Sequence, residues 1–156
     1  MGVKFRAKRK EKLDKKRSKR LSKVEAVEDK IDLIDAHMSE ENWKDGTRGG
    51  DDSVRKTADK DLIKLNKKRG RLLEKWRKTS SKSRKLSSKQ LDKGDISETE
   101  FEEERSERTK QLNKRKADQR KRQTETREKK GLPKKSKWTS YKEPYSKYVK
   151  LKKKKK

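Results

Sequence analysis

The sequence of 156 residues contains no cysteine and a single histidine, His37. Without cysteine the chain has neither a disulfide framework nor a thiolate metal site. One histidine cannot complete a typical metal site, and it leaves nucleophilic catalysis without a paired nucleophile and base. We therefore expect no enzyme, no metal centre, no cofactor and no small-molecule substrate.

Hydrophobic residues are also scarce, at 23% of the chain, against 52% charged residues and a net charge of +27. Chains with this balance bury too little apolar surface for a conventional core. No apolar run approaches the roughly 20 residues that span a bilayer, and residues 1–10 lack the apolar stretch of a signal peptide. We expect no membrane partner and no secretion, and a location in the nucleus or nucleolus, in the cytosol or inside a particle.

Positive charge is what the sequence has in excess, and 38 of its 54 basic residues are lysines. Lysine is a flexible point charge, whereas arginine makes planar bidentate contacts. The composition therefore favours neutralising phosphate over reading bases. The net charge alternates in blocks, +10 over 1–23, −7 over 24–52, +12 over 53–93, −6 over 94–107 and +18 over 108–156. The acidic blocks either fold back onto basic segments or face a basic protein neighbour.

Apolar residues at alternating spacings of three and four predict two helices, over about 7–42 and 53–79. The helix-packing residues are Val24, Val27, Ile31, Ile34 and Met38 on the first helix and Leu62, Leu65, Leu72 and Trp76 on the second. Glycine and aspartate over 45–52 mark a loop between them. We expect a helical hairpin over 24–79 that follows a basic arm over 1–23; the alternative is that each stripe docks on a separate partner protein.

A serine-rich basic segment predicts a linker and turn over 80–95, with a short, poorly formed helix as the alternative for its serine-rich part. Ser97 and Glu100 then have the spacing of a capping box, which starts a helix. This charged helix is expected over 96–130 and ends where Gly131 and Pro133 follow. Past Leu112 it has almost no apolar residue, so a core cannot hold it.

The pattern of an apolar helix end, a glycine turn and a capped helix is carried by Leu86, Leu91, Gly94, Ile96, Ser97, Glu100, Phe101 and Leu112. Over about 27 residues this stretch resembles the small helical hairpin called the SHOCT domain. The resemblance implies an oligomerisation or docking element rather than a catalyst. It carries no functional residue over to this chain.

Clusters of basic residues, together with the aromatic residues of a basic tail over 131–156, are the candidate nucleic-acid contacts. They are Lys8, Arg9, Lys10, Lys15, Lys16, Arg17, Lys67, Lys68, Arg69, Arg71, Lys114, Arg115, Lys116, Arg120, Lys121, Arg122, Lys134, Lys135, Lys137, Trp138, Tyr141, Tyr145, Tyr148, Lys152, Lys153 and Lys154. Aromatic rings among cations suit irregular or single-stranded nucleic acid, because rings stack on exposed bases while lysines follow the backbone. Insertion of the rings into pockets of a protein neighbour is the alternative.

These patterns together predict an extended all-α protein with a short helical hairpin, a long charged helix, basic irregular tails and little hydrophobic core. The expected partners are nucleic acid, with RNA favoured and DNA possible, and other proteins of a large assembly. The leading hypothesis is a non-enzymatic RNA-binding component of a ribonucleoprotein of the ribosome or ribosome-assembly type. The alternatives are an internal structural protein of a virus particle or chromatin-like body, and a helical protein-docking adaptor.

Overall fold

The computed structural model describes residues 2–44 and 52–132, and their side chains over 2–37 and 57–132. Throughout these segments the chain is all-α, which confirms the predicted fold class. The three helices are α1 (Val3–Lys44), α2 (Asp52–Asp92) and α3 (Glu98–Lys129). None of these helices is long and apolar enough to cross a membrane.

Helices α1 and α2 form an antiparallel pair along nearly their whole described length. Contacts run in opposite order along the two helices: Asp14 contacts Ser83, Arg20 contacts Thr79 and Glu28 contacts Arg69. Positions spaced alternately by three and four residues form the seam, as in a coiled coil. On α1 they are Arg6, Lys10, Leu13, Arg17, Arg20, Val24, Val27, Ile31 and Ile34, and on α2 Ala58, Leu62, Leu65, Arg69, Leu72, Trp76, Thr79, Ser83, Leu86 and Gln90.

The seam has an apolar half and a polar half. Val24, Val27 and Ile31 are buried in the apolar half. In the polar half, the buried hydroxyls of Thr79 and Ser83 lie opposite the long arginines of α1. Pairing of α1 with α2 therefore extends well beyond the segment of α1 that holds the apolar seam residues.

The prediction that the second helix ends near Thr79 and continues as a serine-rich linker is wrong, because α2 runs to Asp92. Three of the serines that suggested a linker, Ser80, Ser83 and Ser87, are buried, and Ser83 is fully buried. Within the helix, Ser87 donates to the Ser83 carbonyl at 3.2 Å. Between helices, Ser83 donates to Asp14 at 2.6 Å. Tertiary hydrogen bonds thus satisfy hydroxyls that otherwise favour turns.

The turn between α2 and α3 is defined by its backbone. Gly94 has a positive φ of 69°, and the Asp95 amide donates to the Gln90 carbonyl at 2.8 Å, as in a Schellman motif. The predicted capping box then starts α3: Ser97 Oγ accepts from the Glu100 amide at 3.2 Å, while Glu100 accepts from the Ser97 amide at 2.7 Å. This capping box is confirmed.

Helix α3 lies parallel to α1 and is attached to it by polar side chains. Along the two helices in the same order, Lys10 pairs with Glu104, Glu25 with Arg115, Asp29 with Gln123 and Asp32 with Arg127. The partly buried side of α3 holds Phe101 and Leu112, but most of its positions are charged or amide side chains. A helix that lacks an apolar stripe is thus positioned by ion pairs and hydrogen bonds.

Candidate nucleic-acid interface

Charge is matched in the interior of the three-helix unit. Among the described side chains, eight basic and eight acidic residues are buried or half-buried. The basic set is Arg6, Lys10, Arg17, Arg20, Arg69, Arg108, Arg115 and Arg127, and the acidic set is Asp14, Glu25, Glu28, Asp29, Asp32, Asp35, Asp95 and Glu104. Seven of the eight interior cations are arginines, whose planar group suits bidentate pairing with carboxylates.

The interior pairs have specific geometry. Arg127 binds Asp32 through two hydrogen bonds of 2.9 and 2.6 Å, and both side chains are buried. Arg115 makes two 3.0 Å bonds to Glu25 and also donates to Ser18 and Ser22. These two arginines therefore attach α3 to α1.

The same contacts shift acid–base equilibria at the end of the molecule where α2 meets α3. A hydrogen bond from Arg6 lowers the pKa of Asp95. Burial alone would raise the pKa of Glu104, but Lys10, Arg108 and Ser87 together outweigh burial and lower it. Burial, together with the nearby charge of Arg108, lowers the pKa of Arg17. The carboxylates are thus kept ionised as partners of the arginines.

The exterior has the opposite balance. The exposed side chains among the described residues include 31 basic and 13 acidic residues. Of these 31 cations, 24 are lysines. The surplus charge of the folded segments therefore lies on the surface, as mobile point charges suited to phosphate.

Most of the predicted nucleic-acid contacts that the structure describes are on this surface. The exposed ones are Lys8, Arg9, Lys15, Lys16, Lys67, Lys68, Arg71, Lys114, Lys116, Arg120, Lys121 and Arg122. Of these, Arg122 also approaches Asp29 at 3.8 Å, and Lys15 pairs with Glu11. The predicted contacts over 134–154 lie outside the described residues.

Four predicted contacts are half-buried between the helices rather than exposed, and they stay predictions at less accessible positions. Lys10 pairs with Glu104, Arg69 with Glu28 and Arg115 with Glu25. Arg17 occupies a half-buried seam position between α1 and α2. Clusters of basic residues in the sequence do not indicate which of their side chains face inward.

The predicted helix-packing residues lie along the α1–α2 seam. Val24, Val27 and Ile31 are buried, and Ile34, Leu62, Leu65, Leu72 and Trp76 are partly buried. The side chain of Met38 lies outside the described residues.

The seam register also defines a surface that the basic clusters did not predict. On the side of α1 and α2 that faces away from α3, fourteen exposed cations form what we call the basic face. They are Arg9, Lys12, Lys16, Lys19, Lys23 and Lys30 on α1, and Lys64, Lys68, Arg71, Lys75, Lys78, Lys82, Lys85 and Lys89 on α2. The α2 residues have an unbroken spacing of four and three, a signal that extending the seam beyond Thr79 would have revealed.

No protein-family model matches the chain, and neither a curated protein nor a solved structure matches it. The SHOCT-like resemblance over 86–112 therefore stays a prediction. No group of three or more potential metal ligands occurs among the described residues.

Proposed function

We propose that this chain is a non-enzymatic structural protein that binds RNA within a ribonucleoprotein of the ribosome or ribosome-assembly type. The observation that supports this function is the separation of charge between interior and surface. Among the described side chains, interior charges match eight to eight, whereas 31 exposed cations stand against only 13 exposed acids. A folded polycation of this kind binds phosphates and releases their condensed counterions.

The form of the surface charge favours backbone contacts over base reading. Lysine dominates among the exposed cations and arginine among the interior ones, so half of the described arginines, the groups best suited to bidentate base contacts, are used by the fold. Sequence-independent phosphate binding is the result. Such a protein would bind folded RNA and stabilise it next to other proteins of the assembly. The assembly would be in the nucleus, nucleolus or cytosol, or inside a particle.

The aromatic tail is the part of the proposal that favours RNA over DNA. Trp138, Tyr141, Tyr145 and Tyr148 alternate with lysines beyond the described residues. Folded RNA exposes unpaired bases on which rings stack, at about 1–3 kcal/mol per base, whereas duplex DNA does not. Replacing all four rings by alanine should weaken binding to single-stranded RNA far more than binding to duplex RNA; an equal loss on both would contradict stacking.

The decisive experiment is purification of the tagged chain from its native source, with and without nuclease, followed by sequencing of the nucleic acid that co-purifies. A defined structural RNA that nuclease removes is the expected result. Recovery of genome-wide DNA or RNA would replace the proposal with packaging in a virus particle or chromatin-like body. A set of protein partners unchanged by nuclease would replace it with a protein-docking adaptor.

A further inference from the structure

The basic face differs from every other surface of the helix pair in having one sign of charge. On α2, every outward seam-flanking position from Lys64 to Lys89 is basic, over a length of about 37 Å at 1.5 Å per residue. On α1, the matching positions from Arg9 to Lys30 are interrupted only by Ala26. The antiparallel register places these two stripes side by side over the same stretch of the molecule.

The register also pairs like charges across the seam. In an antiparallel helix pair, the residue just before a core position on one helix faces its equivalent on the other. The facing pairs here are Arg9 with Lys89, Lys16 with Lys82, Lys23 with Lys75 and Lys30 with Lys68. Flanking charges in coiled coils ordinarily alternate in sign and attract each other, so four repelling pairs in a row work against the fold of the free protein.

On the opposite side of the same seam, α3 neutralises the like charges of α1. There α1 presents Asp14, Glu25, Glu28 and Asp32, and α3 covers them with arginines and glutamines. On the basic face, the only ion pair involving one of its members is the exposed one between Lys78 and Glu74, counted over the described side chains. One side of the helix pair is neutralised from within the molecule, and the other is not.

We propose that the basic face binds the sugar–phosphate backbone of a base-paired RNA segment. This inference rests on the proposed function and names the surface and the RNA form. Between Arg9 and Lys30 and between Lys64 and Lys89 the face presents no aromatic side chain, so it offers phosphate contacts without base stacking. A rigid double row of cations matches the regular phosphate rows of a duplex, whereas a single strand loses conformational freedom on lying along it.

The test uses a triple variant of the full chain, K16E, K23E and K30E. Each glutamate faces a lysine of α2 across the seam, so the three changes convert repelling pairs into attracting pairs. The variant should melt at a higher temperature than the wild type while binding an RNA duplex of about 16 bp more weakly. Opposite directions of stability and affinity separate a lost contact from a damaged fold.

The affinity loss should be at least tenfold at about 0.1 M salt, and the slope of log affinity against log salt should fall by about three, one for each lost phosphate contact. The control variant K4E, K60E and K110E makes the same change in net charge at exposed positions outside the basic face. It should lose clearly less affinity than the triple variant on the face.

Three results would overturn the inference. One is equal loss of affinity in both variants, which means that net charge alone decides binding. Another is unchanged duplex affinity in the basic-face variant, and the third is a larger loss of affinity for single-stranded RNA than for duplex RNA in that variant. If the wild type binds no RNA of either form, the proposed function fails as well, so the two failures are distinguishable.

Discussion

At the scale of single residues, buried ion pairs determine where α3 lies. The Arg127–Asp32 pair is the most enclosed of them, with side chains only 8% and 4% exposed. Such pairs stabilise weakly in net terms, because desolvation offsets their attraction, but removing one partner strands a buried charge. The pair therefore contributes to specificity of docking more than to overall stability.

Replacing Arg127 by methionine should lower the free energy of unfolding by about 3 kcal/mol, because the buried carboxylate of Asp32 then loses the two hydrogen bonds that Arg127 donates to it. The double variant R127M/D32L should recover most of that loss, since it removes both charges and adds apolar contact. Urea unfolding measures both. K78A, which breaks the exposed pair with Glu74, is the control and should cost no more than about 1 kcal/mol. A large loss of unfolding free energy that persists in the double variant would show that Arg127 stabilises the fold by something other than its pairing with Asp32.

Arg17 is the seam residue whose charge is least favoured. Burial and the charges of Arg108 and Arg84 disfavour its cationic form, against attraction from Asp14 and Glu104. Arg17→Met keeps an unbranched side chain and removes the charge, so it should raise the melting temperature slightly, since solvent screens much of the repulsion at a half-buried position. Thermal unfolding against the exposed control Lys8→Met measures this. Lower stability in Arg17→Met would show that its attraction to the two carboxylates dominates.

At the scale of helices, α3 differs from α1 and α2 in what holds it. The α1–α2 pair shares apolar residues at one end and a polar seam at the other, whereas α3 is attached mainly by charged and amide side chains. Three carboxylates whose pKa values are lowered in the folded chain lie in the turn before α3 (Asp95) and in its first two turns (Glu100 and Glu104). Docking of this end should therefore depend on pH.

These lowered pKa values fix the sign of the pH effect. Each group stabilises the fold fully above its ordinary value of 3.8 or 4.5, and the stabilisation is lost as the pH falls through that value toward the lowered one. The melting temperature of the wild type should fall between about pH 5 and pH 3. Glu104→Gln should be less stable than the wild type at neutral pH and converge with it in acid. Parallel pH profiles would contradict a role for this carboxylate.

At the scale of the whole molecule, a neutral interior is surrounded by a strongly cationic surface. On the described helices, 24 exposed lysines outnumber the 13 exposed acids and repel one another, especially across the basic face. Self-repulsion destabilises a compact state. Binding of a polyanion relieves it, so folding of the helices and binding of RNA should reinforce each other.

Salt should stabilise the free protein. Exposed charges are screened over about 10 Å at 0.1 M salt, whereas buried pairs are screened much less. The melting temperature should therefore rise as sodium chloride increases from about 0.01 M to about 0.2 M, while RNA affinity falls steeply. In the K16E, K23E and K30E variant the rise should be smaller, because its repelling pairs are gone. A melting temperature that falls with salt in the wild type would mean that exposed ion pairs dominate its stability.

Local patterns in the sequence determined much of this architecture. Apolar spacing from Val24 to Met38 predicted a helix in the first segment, and Ser97 with Glu100 predicted the start of α3, because these features depend on neighbours in sequence. Scarce hydrophobic residues and excess lysine indicated a polycation with little core, since composition sets how much surface can be buried.

Only the tertiary structure decided which charges face inward. Arg115 and Lys116 are adjacent and chemically alike, yet one pairs with Glu25 and the other is exposed. Ser83 and Ser87 suggest a linker in sequence but lie at a helix interface, where Asp14 of α1 and Arg108 and Glu104 of α3 satisfy their hydroxyls. The pairing partners are up to 97 residues apart. The physical reason is that a charge is neutralised by whatever lies near it in space, and helix register sets that over distances that no local pattern contains.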